Sequence, residues 1–204
     1  MRVAHIVEGS RTNGPGVRSV LFVQGCSMRC KGCYNEHLQT TEGGQEMAPV
    51  DVAARLTSLG NPSITISGGE PLEQAEDLAL VLEYLHLHFG ERLDVLVFTG
   101  AYNILGHLEY DGVAHYSVAF IAGPYEDDNR HETDGRFAPW GLLASKNQCV
   151  VPGRLFNCAC APYPMRALWD TGVLLAYGNT AQAEVLIDMD GTSIFTGFPE
   201  KEDK

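Results

Sequence analysis

The sequence predicts an α/β fold built on a largely parallel sheet, on three observations. Short apolar, β-branched runs alternate with helically periodic ones in the order strand, helix, strand, helix. Several strand runs lead into glycine-bearing turns, the form expected where ligands gather at the carboxyl ends of parallel strands. At 204 residues, 45% hydrophobic and 20% charged, the chain can bury one sizeable core, and no second domain is needed.

The elements follow in order. Residues 3–7 and 19–24 read as strands, the second (SVLFVQ) being apolar and running directly into a cysteine loop. Residues 49–59 predict a helix, with Pro49 near its start, Val52, Leu56 and Leu59 on one face, and Gly60 as its stop. Residues 63–67 are the next strand. The spacing of Leu78, Leu82, Leu85 and Phe89 predicts a helix over 72–89 that ends before Gly90. Strands are expected at 93–99 and 117–121, with a short helix near 103–108 between them. The polar run 125–140 reads as an exposed loop, either solvated or a lid or docking surface. Short strands are expected at 147–151, 173–176, 183–187 and 192–196.

Three cysteines, Cys26, Cys30 and Cys33, stand in GCSMRCKGCYN with C-x3-C-x2-C spacing, and the next cysteine is more than a hundred residues away. Four-iron, four-sulfur clusters are normally held by four thiolates. A local set of three leaves one iron without a protein ligand, and an open position is where a metal site does chemistry. A structural zinc site is the rival reading, with His37 as fourth ligand to a Cys3His set.

After the strand at 63–67 comes Ser67-Gly68-Gly69-Glu70-Pro71-Leu72, which sets two glycines, a carboxylate and a helix-starting proline at a strand's end. Glycine pairs also simply turn chains, and Glu70 also reads as a first-turn helix carboxylate.

Taken together, these runs resemble the radical S-adenosylmethionine (SAM) enzymes. Within them the chain looks most like the activating proteins of anaerobic ribonucleotide reductase, relatives of pyruvate formate-lyase activase. The likeness runs from Asn13-Gly14-Pro15-Gly16-Val17-Arg18 through the cysteine loop and the GGEP run. It continues at Phe98-Thr99-Gly100, Gly123-Pro124-Tyr125, Ser145-Lys146-Asn147-Gln148 and Thr196-Gly197-Phe198-Pro199. Gly32 before Cys33 and Tyr34 after it are the specific part.

The resemblance implies a partial, open TIM-like (β/α)6 barrel in a single domain, 1–204, with its core at about 1–155 and a β-rich extension at about 156–200. It implies that Cys26, Cys30 and Cys33 hold three irons of a [4Fe-4S] cluster, the fourth taking the amino and carboxylate groups of SAM. Tyr34, Ser67, Gly68, Gly69, Glu70, Thr99 and Asn147 are the implied SAM-binding residues. Gly68, Gly69 and Glu70 would meet the SAM amino group, with the glycines keeping side chains away from the ligand. Reductive cleavage of SAM would yield a 5′-deoxyadenosyl radical, which takes hydrogen from a glycine of a partner enzyme. That partner would be a glycyl-radical enzyme of the anaerobic ribonucleotide reductase type, and the electron donor a flavodoxin or ferredoxin. A small-molecule or peptide substrate is the alternative within the same chemistry. The family's aspartate before the glycine after the fourth strand is replaced by Ala122, so the polar contact expected at the barrel mouth is either missing or moved to Asp127 or Asp128.

Composition narrows the setting. With 26 acidic against 14 basic residues the net charge is −12, which argues against free nucleic acid as a partner. No apolar run suits a membrane span or a secretory signal, so a cytoplasmic protein is expected. Cys149, Cys158 and Cys160 read either as buried small hydrophobes or as an auxiliary metal site.

Overall fold

The computed structural model describes residues 1–14, 16–105, 107–130 and 143–153, together with the backbone of 183–187 and 193–197. The chain runs β1 (Arg2–Ser10), β2 (Arg18–Val23), β3 (Gln45–Glu46), α1 (Pro49–Ser58), β4 (Ser63–Gly68), α2 (Ala75–Phe89), β5 (Asp94–Thr99), α3 (Asp111–Tyr116), β6 (Ala119–Ala122), β7 (Cys149–Pro152), β8 (Ala183–Ile187) and β9 (Ser193–Gly197).

Seven strands form one open sheet in the order β3-β1-β2-β4-β5-β6-β7, and β8 pairs with β9 in a separate antiparallel ribbon. Only β2, β4, β5 and β6 are mutually parallel; β1, β3 and β7 pair antiparallel. The connection from β1 to β2 is too short for a helical crossover, so that edge turns back on itself. Alternation of strand and helix predicts the parallel centre of the sheet and misses these antiparallel edges. The described strands close no barrel.

Period-two alternation assigns the two faces. Leu21, Val23, Ile64, Ile66, Val95, Val97, Phe120 and Ala122 point to one side, where they share a core with Val52 and Leu56 of α1, Leu78, Val81, Leu82 and Leu85 of α2, and Val113 of α3. Register sets these residues side by side, with Leu21 opposite Ile66, Ile66 opposite Val97, and Val97 opposite Phe120. All three helices therefore pack on one face. The other face carries Arg18, Thr65 and Asp94 towards the amino ends of the strands and Ser67, Phe98 and Ile121 towards their carboxyl ends. There Arg18, 1% exposed, donates to Asp94 Oδ2 at 2.9 Å, to Thr65 Oγ1 at 2.7 Å and to the Ile64 carbonyl at 2.8 Å. This buried ion pair plugs one end of the inner face and leaves the other end open.

Helix boundaries moved where local chemistry competes. The expected start at residue 72 is a 3-10 turn, Pro71–Gln74, because the Glu70 side chain accepts from Leu72 N–H and delays the α-helical ladder to Ala75. The helix expected near 103–108 lies instead at Asp111–Tyr116, after a 3-10 turn at Leu108–Tyr110. In the expected loop, residues 127–129 form a 3-10 turn and the rest from 131 lies outside the described residues. The expected strand at 173–176 also lies outside them, whereas Ala183–Ile187 and Ser193–Gly197 are strands.

Candidate functional site

At the carboxyl ends of β2, β4, β5 and β6 the inner face opens into a solvent-accessible cavity, the place where ligands collect in parallel-strand folds. Cys26, Cys30 and Cys33 line it, together with Tyr34, Ser67, Gly68, Gly69, Glu70 and Thr99. The cysteine loop leaves β2 and folds back on the turn after it: Gly25 N–H donates to the Leu38 carbonyl at 2.8 Å and Cys26 N–H to that of Gln39 at 3.1 Å. Glu73 ties down the front of the loop, accepting from Ser27 N–H at 2.9 Å and from its hydroxyl at 2.5 Å. Arg29, with φ of 51°, is the one non-glycine residue among the described residues with positive φ, a local strain at the centre of the loop.

The GGEP run meets this loop through its backbone. Gly69 N–H donates to the Val23 carbonyl and Glu70 N–H to that of Gly25, both at 2.8 Å. A Cβ on Gly68 would meet the backbone of Val23, and one on Gly69 would run into the carbonyl of Gly25. Close approach of β4's end to the exit of β2 already demands glycine at both positions, in addition to the room that a ligand would need. Glycine here is what brings the second motif against the cysteines.

Glu70 is buried, 3% exposed, and its carboxylate is engaged by the protein. Oε1 accepts from Thr99 Oγ1 at 2.6 Å and from Leu72 N–H at 2.9 Å, and Oε2 accepts from Gly100 N–H at 2.8 Å. Burial pushes its carboxyl above the usual range, against these three hydrogen bonds, which pull it down. Burial likewise raises the thiols of Cys26 and Cys30, although main-chain N–H groups of Met28 and Arg29 favour the Cys26 thiolate and that of Tyr125 the Cys30 thiolate.

Nine of the ten residues singled out from sequence lie on the cavity wall. Asn147 does not: its amide donates to the Pro124 carbonyl at 2.8 Å and to the Tyr102 hydroxyl at 3.0 Å. Sequence reasoning missed Met28, Asn35, Phe98, Tyr125 and Gln148, all on the wall. Asn35 and Tyr125 stand in runs that the family likeness covers, so that signal was available; Phe98 follows from strand alternation. Asp127, offered as a polar group at the mouth, turns away from the cavity and faces Gly32. Cys149 is exposed at the start of β7, and Cys158 and Cys160 lie outside the described residues.

The donor set suits a cluster better than a single ion. Cys26, Cys30 and Cys33 are free thiols on one wall. Yet among the described residues no three His, Cys, Asp or Glu side chains converge as a single metal ion requires. A four-iron cube takes thiolates at three corners and leaves its fourth iron open, which is the donor set this loop offers. His37 does not line the cavity; burial and the neighbouring His5 hold its imidazole below the usual range.

Fold and site together define an iron–sulfur protein with an open cavity beside its cysteines. The sequence matches the family described as a 4Fe-4S single cluster domain over residues 12–150, and the chain belongs to that family as one of the radical SAM activating proteins. It is 33% identical over 120 residues to the anaerobic ribonucleoside-triphosphate reductase-activating protein of Enterobacteria phage T4, covering 56% of this chain and 74% of that one. It is 33% identical over 138 residues to the pyruvate formate-lyase-activating enzyme of Clostridium pasteurianum, covering 64% of this chain and 56% of the relative. A reductase-activating protein of Vibrio cholerae is 40% identical over 76 residues, 35% of this chain and 48% of its own length. The match thus spans about half the length of the last two. The family's cofactors, a [4Fe-4S] cluster and SAM, are those of this chain. Among the described residues no helix is long and apolar enough to cross a membrane.

Proposed function

We propose that this chain cleaves SAM reductively and uses the resulting radical to install a glycyl radical on a partner of the anaerobic ribonucleotide reductase type. The observation that carries this reading is the junction of the two motifs, in which Glu70 N–H bonds the Gly25 carbonyl one residue before Cys26. It sets the cysteine loop and the end of β4 on the same cavity wall.

In this reading Cys26, Cys30 and Cys33 hold the cluster, and Tyr34, Ser67, Gly68, Gly69 and Thr99 frame the SAM beside it. When bound, the cluster and SAM together would supply a 5′-deoxyadenosyl radical, the one electron from the reduced cluster being spent in breaking the SAM carbon–sulfur bond and methionine being the group that leaves. The protein's own share is placement. Main-chain carbonyls at the end of β4 would accept from the SAM amino group, and Glu70 Oε2, which accepts only from Gly100 N–H, keeps an acceptor site for it. Glu70 acts as the brace that fixes β4 against β5 and adds a buried negative charge near a cationic ligand. Phe98 and Ile121 form an apolar floor that excludes water from the reacting centre.

The open sheet, with helices on one face and a cavity at the strands' carboxyl ends, supports a partial TIM-like barrel of one domain, 1–204, its later part an extension of the core. A flavodoxin or ferredoxin would deliver the electron, in the cytoplasm, where thiols remain reduced.

The test is anaerobic incubation of the reconstituted chain with SAM, a low-potential reductant and a glycyl-radical reductase subunit. A glycyl doublet in electron paramagnetic resonance, with 5′-deoxyadenosine formed in proportion, supports the reading. Catalytic release of 5′-deoxyadenosine without a stored radical would move the chain to a radical SAM enzyme with a small-molecule or peptide substrate.

A further inference from the structure

The segment after β6 reaches back across the cavity and grips the cysteine loop. Tyr125 lies on the cavity wall together with Cys30 and Cys33. Its ring meets that of Tyr34, the residue after Cys33, edge to face at 5.4 Å. Its hydroxyl donates to Asp127 Oδ1 at 2.7 Å. The Asp127 carboxyl group in turn lies flat against the α-carbon of Gly32, where a Cβ would come within 2.8–3.0 Å of its three atoms. Gly32, at φ of 71°, sits between Cys30 and Cys33, so the segment touches the loop at residues 32 and 34, on either side of Cys33.

The other side of the segment is anchored on the corner before β7. Gln148 donates to the Gly123 carbonyl at 2.9 Å and Asn147 to that of Pro124 at 2.8 Å. Glu126 N–H donates to Ser145 Oγ at 3.2 Å, and Lys146 N–H to the Asn129 carbonyl at 2.8 Å. The corner is itself stiffened, because Gln148 Oε1 accepts from the N–H groups of Ala144 and Ser145. A strap held so firmly on one side transmits its position to what it touches on the other.

We propose that residues 124–127 are a clasp that sets the position and electronic environment of the iron–sulfur cluster, with Tyr125 and Asp127 as positioning residues and Asn147 as their anchor. The inference rests on the reading of Cys30 and Cys33 as cluster ligands. Hydrogen bonds to ligand sulfur and nearby charge are the levers by which protein tunes such clusters. Asp127 supplies the charge beside Gly32 while orienting Tyr125, whose ring packs on the residue that follows Cys33. This arrangement also gives Asn147 a place in the site without contact to the cavity.

The experiment uses anaerobically reconstituted full chains without SAM, comparing iron content, the electron paramagnetic resonance line shape and midpoint potential of the reduced cluster, and the rate of iron loss to a chelator. Tyr125→Phe keeps the ring and loses the hydroxyl; it and Asn147→Ala are expected to alter the line shape and speed iron loss roughly tenfold. Asp127→Asn keeps an oxygen acceptor for Tyr125 and removes the charge; it is expected to retain iron and shift the potential upward. Glu83→Gln, at an exposed position on α2, is the control and should match wild type on every readout. Wild-type behaviour in Tyr125→Phe, Asn147→Ala and Asp127→Asn alike would overturn the clasp while leaving the cluster assignment standing. A wild-type chain that takes up no iron overturns that assignment and the clasp with it.

Discussion

The hydroxyl of Thr99 donates to Glu70 Oε1 at 2.6 Å, joining the last residue of β5 to the residue that follows the glycine pair after β4. A buried carboxylate gains from each donor it meets, and this one has three. Thr99→Val removes one at nearly constant volume. It is expected to lower unfolding free energy by about 1–3 kcal/mol, with Thr99→Ser close to wild type. Urea denaturation of both variants checks this, and equal losses in the two would assign the effect to packing.

The same carboxylate makes stability depend on pH in a definite direction. Its pKa is raised on folding, so the folded state binds more protons than the unfolded one between the ordinary glutamate range and the raised value. Its contribution is therefore fullest below the ordinary range and declines as pH rises through the folded pKa. Glu70→Gln should flatten that decline in a urea series taken upward from mildly acidic pH. A decline equally steep in the variant would assign the dependence to other groups.

Gly69→Val is expected to damage the cysteine loop itself. The added side chain meets the Gly25 carbonyl, which already accepts from Glu70 N–H. From sequence alone this substitution reads as a loss of SAM binding with the cluster retained; the structure expects both to be lost. Iron content after reconstitution distinguishes the two outcomes.

Arg18 and Asp94 form a buried pair at the amino ends of the strands. Removing one partner strands the other, at a cost of about 3–5 kcal/mol. Arg18→Met should show that loss, and the double variant with Asp94→Leu should recover part of it. A loss below about 1 kcal/mol in the single variant would show that the inner face is not held by this pair.

Much of this arrangement was legible because it follows from local rules. Apolar runs identified β2, β4, β5 and β6, and the cavity sits at their carboxyl ends because the cysteine loop, Gly68-Gly69 and Thr99 each end a strand or follow one. The antiparallel pairings of β1 and β7 depend on connection length and on which edges remain free, which periodicity does not encode. The place of Asn147, off the cavity wall, was not legible for a related reason. A residue type that suits a polar ligand suits a carbonyl equally well, and only tertiary contact assigns it to Pro124. Tyr125 escaped, and Asp127 was read only as a polar group at the mouth, because both meet the cysteine loop across nearly a hundred residues of chain.

Cluster assembly on three thiols is the central claim, and iron and sulfide determination on anaerobically reconstituted protein tests it most directly, paired with electron paramagnetic resonance before and after SAM is added. The account expects about four irons per chain, a reduced-cluster spectrum that SAM perturbs, and loss of both in Cys30→Ala. Zinc without iron, or a Cys30→Ala protein that still cleaves SAM, would contradict it.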